Sequence, residues 1–477
     1  MGFTGTLKGA GQPFPHFWEH TVGSDHATMA LRADWQKQLT RCRRELGFKH
    51  VRFHGLLDDD VGTLMMENDQ LVYSFFNADQ ICDFLLSIDM KPFMELSFMP
   101  STLSSGDTIV FHYKGNVTPP RDYAAWGTLI QKLVGHWVER YGATEVAQWF
   151  FEVWNEPNLS AFWTGTQADY FRLYETSARA IKAVDPRLQV GGPATANNAW
   201  VPEFLSFCAS KGLSPDFIST HHYPTDAFGQ PGDDTVAQLA ASHRSVLREQ
   251  TAAVRAQAGD RPLYYTEWCT SSNPFDELHD RPYAAAFITK TVMEAQGLVQ
   301  GYSYWTFSDL FEENYFSSVP FHGGFGLLNI HGVPKPAYRA YELLHRLGDE
   351  QIPLTGAHPT VDAWLVRKPG MIQLLLCNSQ LPRHAVQTET VHFELADLPP
   401  IASAYLERID DDNANARGAW EAMGSPEYLS AAAVQTLEVA SQLVKRPFSL
   451  PEASGAVNAF AITIPPQGVA LLTLELK

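Results

Sequence analysis

Residues 149–192 read WFFEVWNEPNLSAFWTGTQADYFRLYETSARAIKAVDPRLQVGG, and this stretch predicts a strand, a helix and a second strand. The aromatic run Trp149–Trp154 is typical of a buried strand, whereas apolar residues recur at helical spacing over Gln167–Val184. The short run Gln189–Gly192 then predicts the next strand. Strand, helix and strand in this order form the unit from which parallel α/β sheets are built.

The same unit recurs from residue 14 to residue 347. Further strands are predicted at Phe48–Phe53, Pro92–Leu96, Phe217–Thr220, Leu263–Thr266 and Tyr302–Trp305, with one more near Phe17–His20. Further helices are predicted at Asp34–Leu46, Ala78–Ile88, Tyr123–Tyr141, Val201–Lys211, Ala237–Ala256, Tyr283–Gln296 and Ala337–Leu347. Eight such repeats are typical of a (β/α)8 TIM barrel. A doubly wound open sheet is the alternative, but no glycine-rich dinucleotide motif follows the first strand.

Downstream of Gly348 the pattern changes to short alternating runs separated by proline and glycine. The runs are Ala363–Val366, Met371–Cys377, Val391–Leu395 and Val469–Glu475. Alternation of this kind predicts the strands of a β-sandwich. We therefore predict an α/β chain with two domains: a (β/α)8 barrel over 14–347, and a C-terminal β-sandwich over 348–477 that includes part of 1–13.

The composition excludes several classes of function. Lys and Arg number 35 against 53 Asp and Glu, so the net charge is −18 and nucleic-acid phosphates and anionic membranes repel the chain. No apolar run approaches the roughly 18 residues of a membrane span. Residues 1–20 lack a basic start followed by an apolar stretch, which predicts no signal peptide and a cytoplasmic location. The five cysteines form no CxxC pair, so neither a disulfide framework nor structural zinc is expected.

The first candidate for chemistry is Glu156. It follows the apolar strand directly, in the sequence Trp-Asn-Glu-Pro-Asn at 154–158, and Pro157 biases its backbone away from the helical region. In a barrel the carboxyl ends of the strands form the face that carries the active site. Apolar neighbours raise the pKa of a carboxyl group, and a carboxyl that stays protonated near neutral pH can act as a general acid. A helix N-cap or a surface glutamate is the alternative interpretation.

Glu267 lies in an equivalent setting. The run Pro262–Thr266 is apolar and aromatic, and Glu267 ends it three predicted strands after Glu156. Two such glutamates can face each other across the mouth of one barrel. Carboxyl groups about 5–5.5 Å apart suit retaining glycoside cleavage, in which one is the acid/base and the other the nucleophile. Nearby tyrosine hydroxyls favour an ionised Glu267, although a structural strand-end residue is the alternative.

The ends of other predicted strands supply polar and aromatic side chains. The candidates are His54 after the second strand, His221 and Tyr223 after the sixth, and Trp305 at the end of the last. Because strand residues alternate between faces, His221 and Tyr223 share a face and His222 points away. A sugar presents hydroxyls at its rim and C–H groups on its ring faces, so this mixture suits a sugar. Glu95 and Glu152 lie within their strands and are predicted to support the residues at the tips.

One segment matches a zinc-binding pattern. His16-Phe17-Trp18-Glu19-His20 reads H-x-x-E-H, which binds zinc when both histidines lie on one face of a helix. Prolines and Gly23 crowd this segment, and its Phe-Trp centre favours a barrel strand instead. Phosphate-binding and serine-hydrolase motifs do not occur in the sequence either. The sequence therefore predicts neither a metal nor a cofactor.

Three motifs together resemble glycoside hydrolase family 39. They are Trp-Asn-Glu-Pro-Asn at 154–158, Thr-Glu-Trp at 266–268, and the segment in which Trp305 precedes Glu312-Glu313 and Phe321–Leu327. The resemblance implies a (β/α)8 barrel with an accessory β-sandwich and the activity of retaining β-xylosidases or α-L-iduronidases. It also implies that Glu156 is the acid/base and Glu267 the nucleophile. The residues implied to hold the sugar are His54, Asn155, His221, Tyr223, Trp305, Glu312 and Glu313.

Charge favours a xyloside over an iduronide. An iduronate carboxylate needs a basic partner, but the segment after Glu267 offers none, and Glu312 and Glu313 add negative charge. We therefore expect an exo-acting retaining β-xylosidase that releases xylose from the non-reducing end of xylo-oligosaccharides. The alternatives are a related β-glycosidase or α-L-arabinofuranosidase on the same scaffold and, less favoured, an α-L-iduronidase. The two glutamates argue against a sugar-binding barrel without activity.

Two long loops are expected to close the site into a pocket. One spans 98–120 and carries Phe111 and Tyr113, and the other follows the last barrel strand. The aromatic residues of this second loop are Phe307, Phe311, Tyr315, Phe316 and Phe321. A pocket admits one terminal sugar, which predicts exo action. The sequence leaves the oligomeric state open, and a monomer is compatible with it.

Overall fold

Eight parallel strands close a barrel, which confirms the predicted fold class. The structure is a computed structural model that describes residues 2–225, 232–314, 317–452 and 454–477. The barrel strands are β1 (Thr21–His26), β2 (His50–His54), β3 (Lys91–Leu96), β4 (Phe150–Val153), β5 (Gln189–Thr195), β6 (Phe217–His222), β7 (Leu263–Trp268) and β8 (Gly301–Tyr304). Each strand pairs with its neighbours in the chain, and β8 pairs with β1 to complete the ring.

Helices connect successive barrel strands and surround the ring. Their bounds are Ala33–Leu46, Phe76–Ser87, Tyr123–Tyr141, Ala143–Val146, Gln167–Val184, Val201–Ser210, Thr235–Ala241, Val246–Ala258, Pro282–Glu294 and Pro336–His345. Short 3-10 turns lie at Phe17–Glu19, Ala27–Leu31, Ala196–Asn198 and Glu277–Asp280, and two hairpins pair Leu64–Glu67 with Gln70–Tyr73 and Ile109–Val110 with Gly115–Asn116. In the described part of the chain, no helix combines the length and the apolar composition that crossing a membrane requires.

The prediction of a first strand near Phe17–His20 is wrong. Phe17–Glu19 forms a 3-10 turn, and the strand that completes the barrel is Thr21–His26. The Phe17 ring is buried because it packs against other aromatic rings, among them Tyr302, and not because it belongs to a sheet. The true strand reads Thr-Val-Gly-Ser-Asp-His and is buried along its whole length, yet its polar residues do not show the apolar pattern of a buried strand.

The barrel interior changes from apolar to charged along its axis. An aromatic layer near the amino ends of the strands consists of Phe93, Phe150, Phe217 and Tyr264. Residues two positions further along a strand point to the same face, so the next layer holds Arg52, Glu95 and Glu152, all fully buried. The carboxyl ends of the strands lie above this charged layer, and the candidate residues for chemistry follow there.

The remaining strands form two sheets around a second apolar core. A four-stranded sheet contains Leu354–Gly356, Gly2–Thr6, Glu389–Ala396 and Val457–Ile464. A seven-stranded sheet contains Gln12–Pro13, Glu350–Ile352, Val361–Lys368, Met371–Asn378, Gly468–Leu476, Ile401–Ile409 and Arg446–Pro447. Phe3 and Phe460 of the first sheet and Leu374 of the second share the core. Two further helices are Ala416–Ala422 and Ala431–Ala440. The division of the chain at 347/348 stays a prediction.

Candidate active site

Two glutamates face each other where β4 and β7 end. Glu156 follows β4, Glu267 lies near the end of β7, and both line a cavity of about 430 Å³. One carboxyl oxygen of each lies within 4.8 Å of the other and of a ring nitrogen of His221. This spacing is close to the roughly 5–5.5 Å between the carboxyl groups of retaining glycosidases.

A strained turn presents Glu156 to the cavity. Trp154 and Glu156 have φ values of +72° and +44°, in the left-handed region that residues with a side chain rarely adopt. The ring N–H of Trp154 donates to the carbonyl oxygen of Phe162 over 2.8 Å, and the backbone N–H of Glu156 donates to that of Ala194 over 2.8 Å. These bonds hold a conformation whose cost is of the order of 1–3 kcal/mol per residue. Glu156 is therefore outside the right-handed helical region, as Pro157 predicts.

Arg52 links the carboxylates beneath the mouth of the barrel. Its guanidinium donates to Glu152 over 2.5 Å and to Glu267 over 2.8 Å, and it pairs with Glu95 at 2.7 Å. It also donates to Oδ1 of Asn155 over 3.0 Å, which orients that amide. Buried charges are stable only when they are paired and hydrogen-bonded. One planar cation thus fixes three carboxylates and the residue that precedes Glu156.

Glu156 and Glu267 differ in the charges around them. Burial raises the pKa of Glu156 well above its ordinary value, and the negative charge of Glu267 raises it further. Burial also raises the pKa of Glu267, but the positive charges of Arg52 and His54 oppose that rise. The same two cations also oppose the rise in the pKa of Glu156, but Arg52 donates a hydrogen bond directly to Glu267, so of the two Glu156 is the carboxyl whose surroundings favour the protonated form.

His221 and Tyr223 both contact this pair, and His222 points away from it, as the alternation along the strand indicates. Nδ1 of His221 lies 2.9 Å from Oε1 of Glu156 and 3.6 Å from Oε2 of Glu267. The hydroxyl of Tyr223 donates to Oε2 of Glu267 over 3.0 Å. Tyr223 lines the cavity, whereas the fully buried His221 lies behind the two carboxyl groups.

His54 carries a positive charge at the floor of the cavity. Its Nδ1 lies 2.7 Å from Glu95 and its Nε2 lies 3.4 Å from Glu313. Burial alone would lower the pKa of His54, but these two carboxylates raise it well above its ordinary value. The centroid of the Trp305 ring lies 4.8 Å from that of His54. A Cβ on Gly23 would lie only 2.6 Å from that indole, so only glycine fits beneath it.

The adjacent acids Glu312 and Glu313 point in different directions. Glu313 lines the cavity, whereas Oε1 of Glu312 lies 2.9 Å from Nδ1 of the buried His26. The backbone N–H of Glu312 donates to Asp25, which holds the chain in this orientation. Glu312 is not among the described residues that line the cavity. The predicted sugar-holding residues that do line it are His54, Asn155, Tyr223, Trp305 and Glu313.

Apolar side chains from five loops surround the carboxyl groups. They are Val110 and Phe111 from the loop after β3, Leu159, Ala161 and Phe162 after β4, Ala196 after β5, Pro274 after β7, and Phe325 after β8. The long loops after β3 and β8 therefore both contribute to the wall, as expected from the sequence. Tyr315 and Phe316, two of the aromatic residues named for the second loop, lie outside the described residues.

In the part of the chain that the structure describes, three groups of side chains bring potential metal ligands together. They are Glu156, His221 and Glu267; His26, Asp58 and Asp60; and His16, Glu19 and His345. In the last group both histidines place Nδ1 within 2.8 Å of the same oxygen of Glu19. His20, the final residue of the H-x-x-E-H pattern, instead contacts Thr21. Hydrogen bonds or ion pairs join the residues within each group.

Sequence reasoning missed two residues that organise the site, Arg52 and Thr266. Arg52 stands two positions before His54 in a predicted barrel strand, where residues are buried. A charged residue at such a position is a signal that could have been used. Thr266 donates to Glu152 over 2.7 Å and lies next to Glu267. The pairing of β6 with β7 shifts register at this point, so that both neighbours reach the barrel interior. No local pattern predicts that shift.

Comparison with known proteins identifies the family. The model for "Glycosyl hydrolases family 39" matches residues 7–458. A β-xylosidase of Caldicellulosiruptor saccharolyticus is 48% identical over 96% of this chain and 95% of its own, and one of Geobacillus stearothermophilus is 37% identical over 97% and 94%. The crystal structure of a monomeric β-xylosidase from Caulobacter crescentus CB15 matches with a TM-score of 0.89 at 34% identity, over 99% of each chain. These matches confirm the resemblance seen in the sequence, and the chain belongs to family 39 of the glycosyl hydrolases.

Proposed function

We propose that the protein is a retaining β-xylosidase that releases xylose from the non-reducing end of xylo-oligosaccharides. The observation that carries this proposal is the pair of Glu156 and Glu267. They lie within 4.8 Å of each other in one cavity, and Arg52 and Tyr223 donate hydrogen bonds to Glu267. The relatives at 48% and 37% identity are β-xylosidases, which supports xylose as the sugar.

The reaction proceeds by two displacements at the anomeric carbon. In the first, a carboxylate oxygen of Glu267 bonds to that carbon, the bond to the leaving oxygen breaks, and the proton of Glu156 passes to the leaving oxygen. In the second, a water oxygen bonds to the same carbon, the bond to Glu267 breaks, and the proton of that water passes to Glu156. Because each displacement inverts the configuration of the anomeric carbon, the two together retain it. The bonds from Arg52 and Tyr223 hold Glu267 in place.

The sugar is held by the polar residues that line the cavity. Arg52 occupies the oxygen of the Asn155 amide, so Nδ2 is the group that can donate to a sugar hydroxyl. Glu313 accepts hydrogen bonds from hydroxyls, and the indole of Trp305 offers an apolar surface to the C–H face of the ring.

The charge of the cavity separates this function from its alternatives. Among the described residues that line it, His54 is the one basic side chain, and Glu95 and Glu313 already face its two nitrogens. A uronate would meet the negative charge of Glu313 without a partner of its own, which disfavours an iduronide. A related β-glycoside or an arabinofuranoside remains the alternative that a substrate panel distinguishes. A cytoplasmic location stays a prediction. The oligomeric state stays open, and the monomeric Caulobacter relative is compatible with a monomer.

The test is covalent labelling of the nucleophile. A mechanism-based xyloside with fluorine at position 2 and an activated leaving group should inactivate the enzyme and attach to Glu267. Fluorine slows both displacements, because both have oxocarbenium-like transition states, whereas the activated leaving group speeds only the first. Peptide mass spectrometry then locates the label. Glu267→Ala should abolish turnover without unfolding the protein. A label on another carboxylate, or xyloside turnover by Glu267→Ala, would contradict the assignment.

A further inference from the structure

A chain of hydrogen bonds runs behind the two glutamates, from Glu152 to Glu156. The hydroxyl of Thr266 donates to Oε1 of Glu152 over 2.7 Å. Nε2 of His221 lies 3.0 Å from the same hydroxyl oxygen, and Nδ1 of His221 lies 2.9 Å from Oε1 of Glu156. Glu152, Thr266 and His221 are buried and do not line the cavity, so water reaches these hydrogen bonds only at Glu156.

Glu152, at the far end of this series of hydrogen bonds, determines which group donates in each of them. Glu152 is an ionised acceptor, because Arg52 donates to its other oxygen over 2.5 Å. The one hydroxyl proton of Thr266 therefore points to Glu152, and its oxygen can only accept from Nε2–H of His221. The reverse arrangement would bring lone pairs of Thr266 and Glu152 together at 2.7 Å.

A neutral His221 with its proton on Nε2 presents a lone pair on Nδ1. The ring is neutral because burial lowers the pKa of His221 well below its ordinary value, and the charges of Arg52 and His54 lower it further. The lone pair on Nδ1 accepts a hydrogen bond only from a protonated Glu156. An ionised Glu156 would instead place its negative charge 2.9 Å from that lone pair.

We propose that Thr266 is a positioning residue which fixes His221 as the Nε2–H tautomer and thereby keeps the catalytic proton on Glu156. The inference rests on the proposed function, and it adds a residue that does not line the cavity. It also gives the second displacement a driving force, since a Glu156 that has lost its proton receives no hydrogen bond from His221 and takes one readily from water.

Other charges act on Glu156 as well, and the experiment must separate them from this effect. The charged and titratable groups that face Glu156 are Arg52, His54, His221, Tyr223, Glu267 and Glu313. A substitution of Thr266 leaves all six in place. The protonation state of Glu156 then changes only through the tautomer of His221 and the loss of one bond to Glu152.

The kinetic test compares Thr266→Val with Thr266→Ser on phenyl β-xyloside, whose poor leaving group requires the acid. Without the hydroxyl, His221 can carry its proton on Nδ1 and donate to the ionised Glu156, which stabilises that form. The basic limb of kcat/KM should then move to lower pH, by about one unit, whereas the serine variant should keep the limb of the parent enzyme. A loss of activity in the valine variant at every pH, with the limb unmoved, would overturn the proposal.

A matched control is Thr220→Val, which removes another fully buried barrel hydroxyl. That hydroxyl donates to the backbone carbonyl of Thr195, which is not part of the hydrogen-bond chain from Glu152 to Glu156. Its basic limb should stay where it is in the parent enzyme.

A direct readout that needs no variant of Thr266 is the ¹⁵N spectrum of histidine-labelled enzyme, with His221→Gln used for assignment. Nδ1 of His221 should be unprotonated near neutral pH, and a protonated Nδ1 would refute the inference. Failure of the parent enzyme to cleave xylosides would refute the proposed function instead and would leave the ¹⁵N result unaffected.

Discussion

Single side chains of the site owe their chemistry to their neighbours. Glu156 and Glu267 carry the same carboxyl group, but only Glu267 accepts hydrogen bonds from Arg52 and Tyr223. Glu156 faces the neutral ring of His221 and the charge of Glu267, both of which favour its protonated form. In the proposed reaction Glu156 must enter the cycle protonated, so activity should fall as the pH rises through its pKa.

Removing the acid should affect substrates according to their leaving groups. Glu156→Ala should spare the first displacement on an activated aryl xyloside, whose leaving group departs without a proton, far more than the hydrolysis of xylobiose. The basic limb of the pH profile should also disappear, because that limb reports Glu156. Steady-state kinetics on both substrates from acid to alkaline pH measure this. Equal losses on both, with the limb retained, would show that another group is the acid.

Glu313 and Glu312 provide a matched comparison at adjacent positions. Glu313→Ala should lower kcat/KM on aryl xylosides at least about tenfold, since a charged hydrogen bond contributes about 1.5–3 kcal/mol and roughly 1.4 kcal/mol is a factor of ten. Glu312→Ala should cost less than about threefold, because its carboxylate contacts His26 and not the cavity. Initial rates at low substrate concentration give both ratios. A larger loss for Glu312→Ala would mean that the sugar contacts it.

The sequence predicts these single residues only in part, for a physical reason. Glu156 and Glu267 are recognisable because each ends an apolar strand, and the ends of barrel strands form one face. Glu312 and Glu313 lie in a loop, where no periodicity tells which side chain points inward. Their orientations depend on a contact between Glu312 and Asp25, two residues that are far apart in the sequence.

Among the elements, the loop after β8 is held in place by the buried ammonium group of Lys335. Nζ of Lys335 lies 2.6 Å from both Asp280 and Asp309 and donates to the carbonyl oxygen of Gly324 over 2.9 Å. The side chains of the lysine and both aspartates are completely buried. Since this loop carries Glu313, the buried ion pairs of Lys335 link the stability of the fold to the geometry of the site.

Lys335→Met should therefore destabilise the protein strongly. The substitution removes the cation nearest to two buried carboxylates and leaves Asp280 with Arg417 at 3.5 Å, and breaking such a group costs about 3–5 kcal/mol. Lys8→Met is the control, because Lys8 pairs with Asp397 while its side chain is 80% exposed, and surface pairs contribute about 0–1 kcal/mol. Urea unfolding of both variants measures the difference. Similar free energies of unfolding for the two would contradict this role of Lys335.

The helices and strands of the barrel also show where sequence patterns stop being informative. Seven strands are recognisable because apolar runs alternate with amphipathic helices, but β1 is composed largely of polar residues. Its polar side chains are buried in polar contacts: Ser24 accepts from the ring N–H of Trp35, Asp25 accepts from the backbone N–H of Glu312, and His26 contacts the Glu312 carboxylate. Burial there therefore does not select apolar residues. The segment just before it, Phe17–Glu19, instead forms a buried 3-10 turn whose Phe17 ring packs against Tyr302.

In the whole molecule, the two sheets outside the barrel depend on pairings between distant parts of the chain. Gly2–Thr6 lies parallel to Glu389–Ala396, and Gln12–Pro13 pairs with Glu350–Ile352. Local alternation predicts the strands after residue 348, but it cannot predict which of them receive the N-terminal strands. The barrel order, in contrast, follows directly from the repeated unit, because each parallel strand pairs with the next.

The shape of the complete cavity determines which bond of a long substrate can be cut. Walls come from the loops after β3, β4, β5, β7 and β8, and the catalytic pair lies among polar groups at the floor. A cavity of about 430 Å³ that is surrounded in this way accommodates the terminal sugar and the bond next to it, but not a chain that continues in both directions. The enzyme should therefore act only at the non-reducing end.

Xylohexaose tests this expectation at the earliest stage of its hydrolysis. The first products should be xylose and xylopentaose in equal amounts, because one terminal residue enters the cavity and its glycosidic bond lies between Glu156 and Glu267. Xylotetraose should appear only after xylopentaose has accumulated, since each product must leave and bind again. Chromatography of samples taken below a few per cent conversion measures the order of appearance. Xylotriose or xylotetraose among the first products would require a cleft open at both ends, and the loops after β3 and β8 could not then form the wall that their side chains indicate.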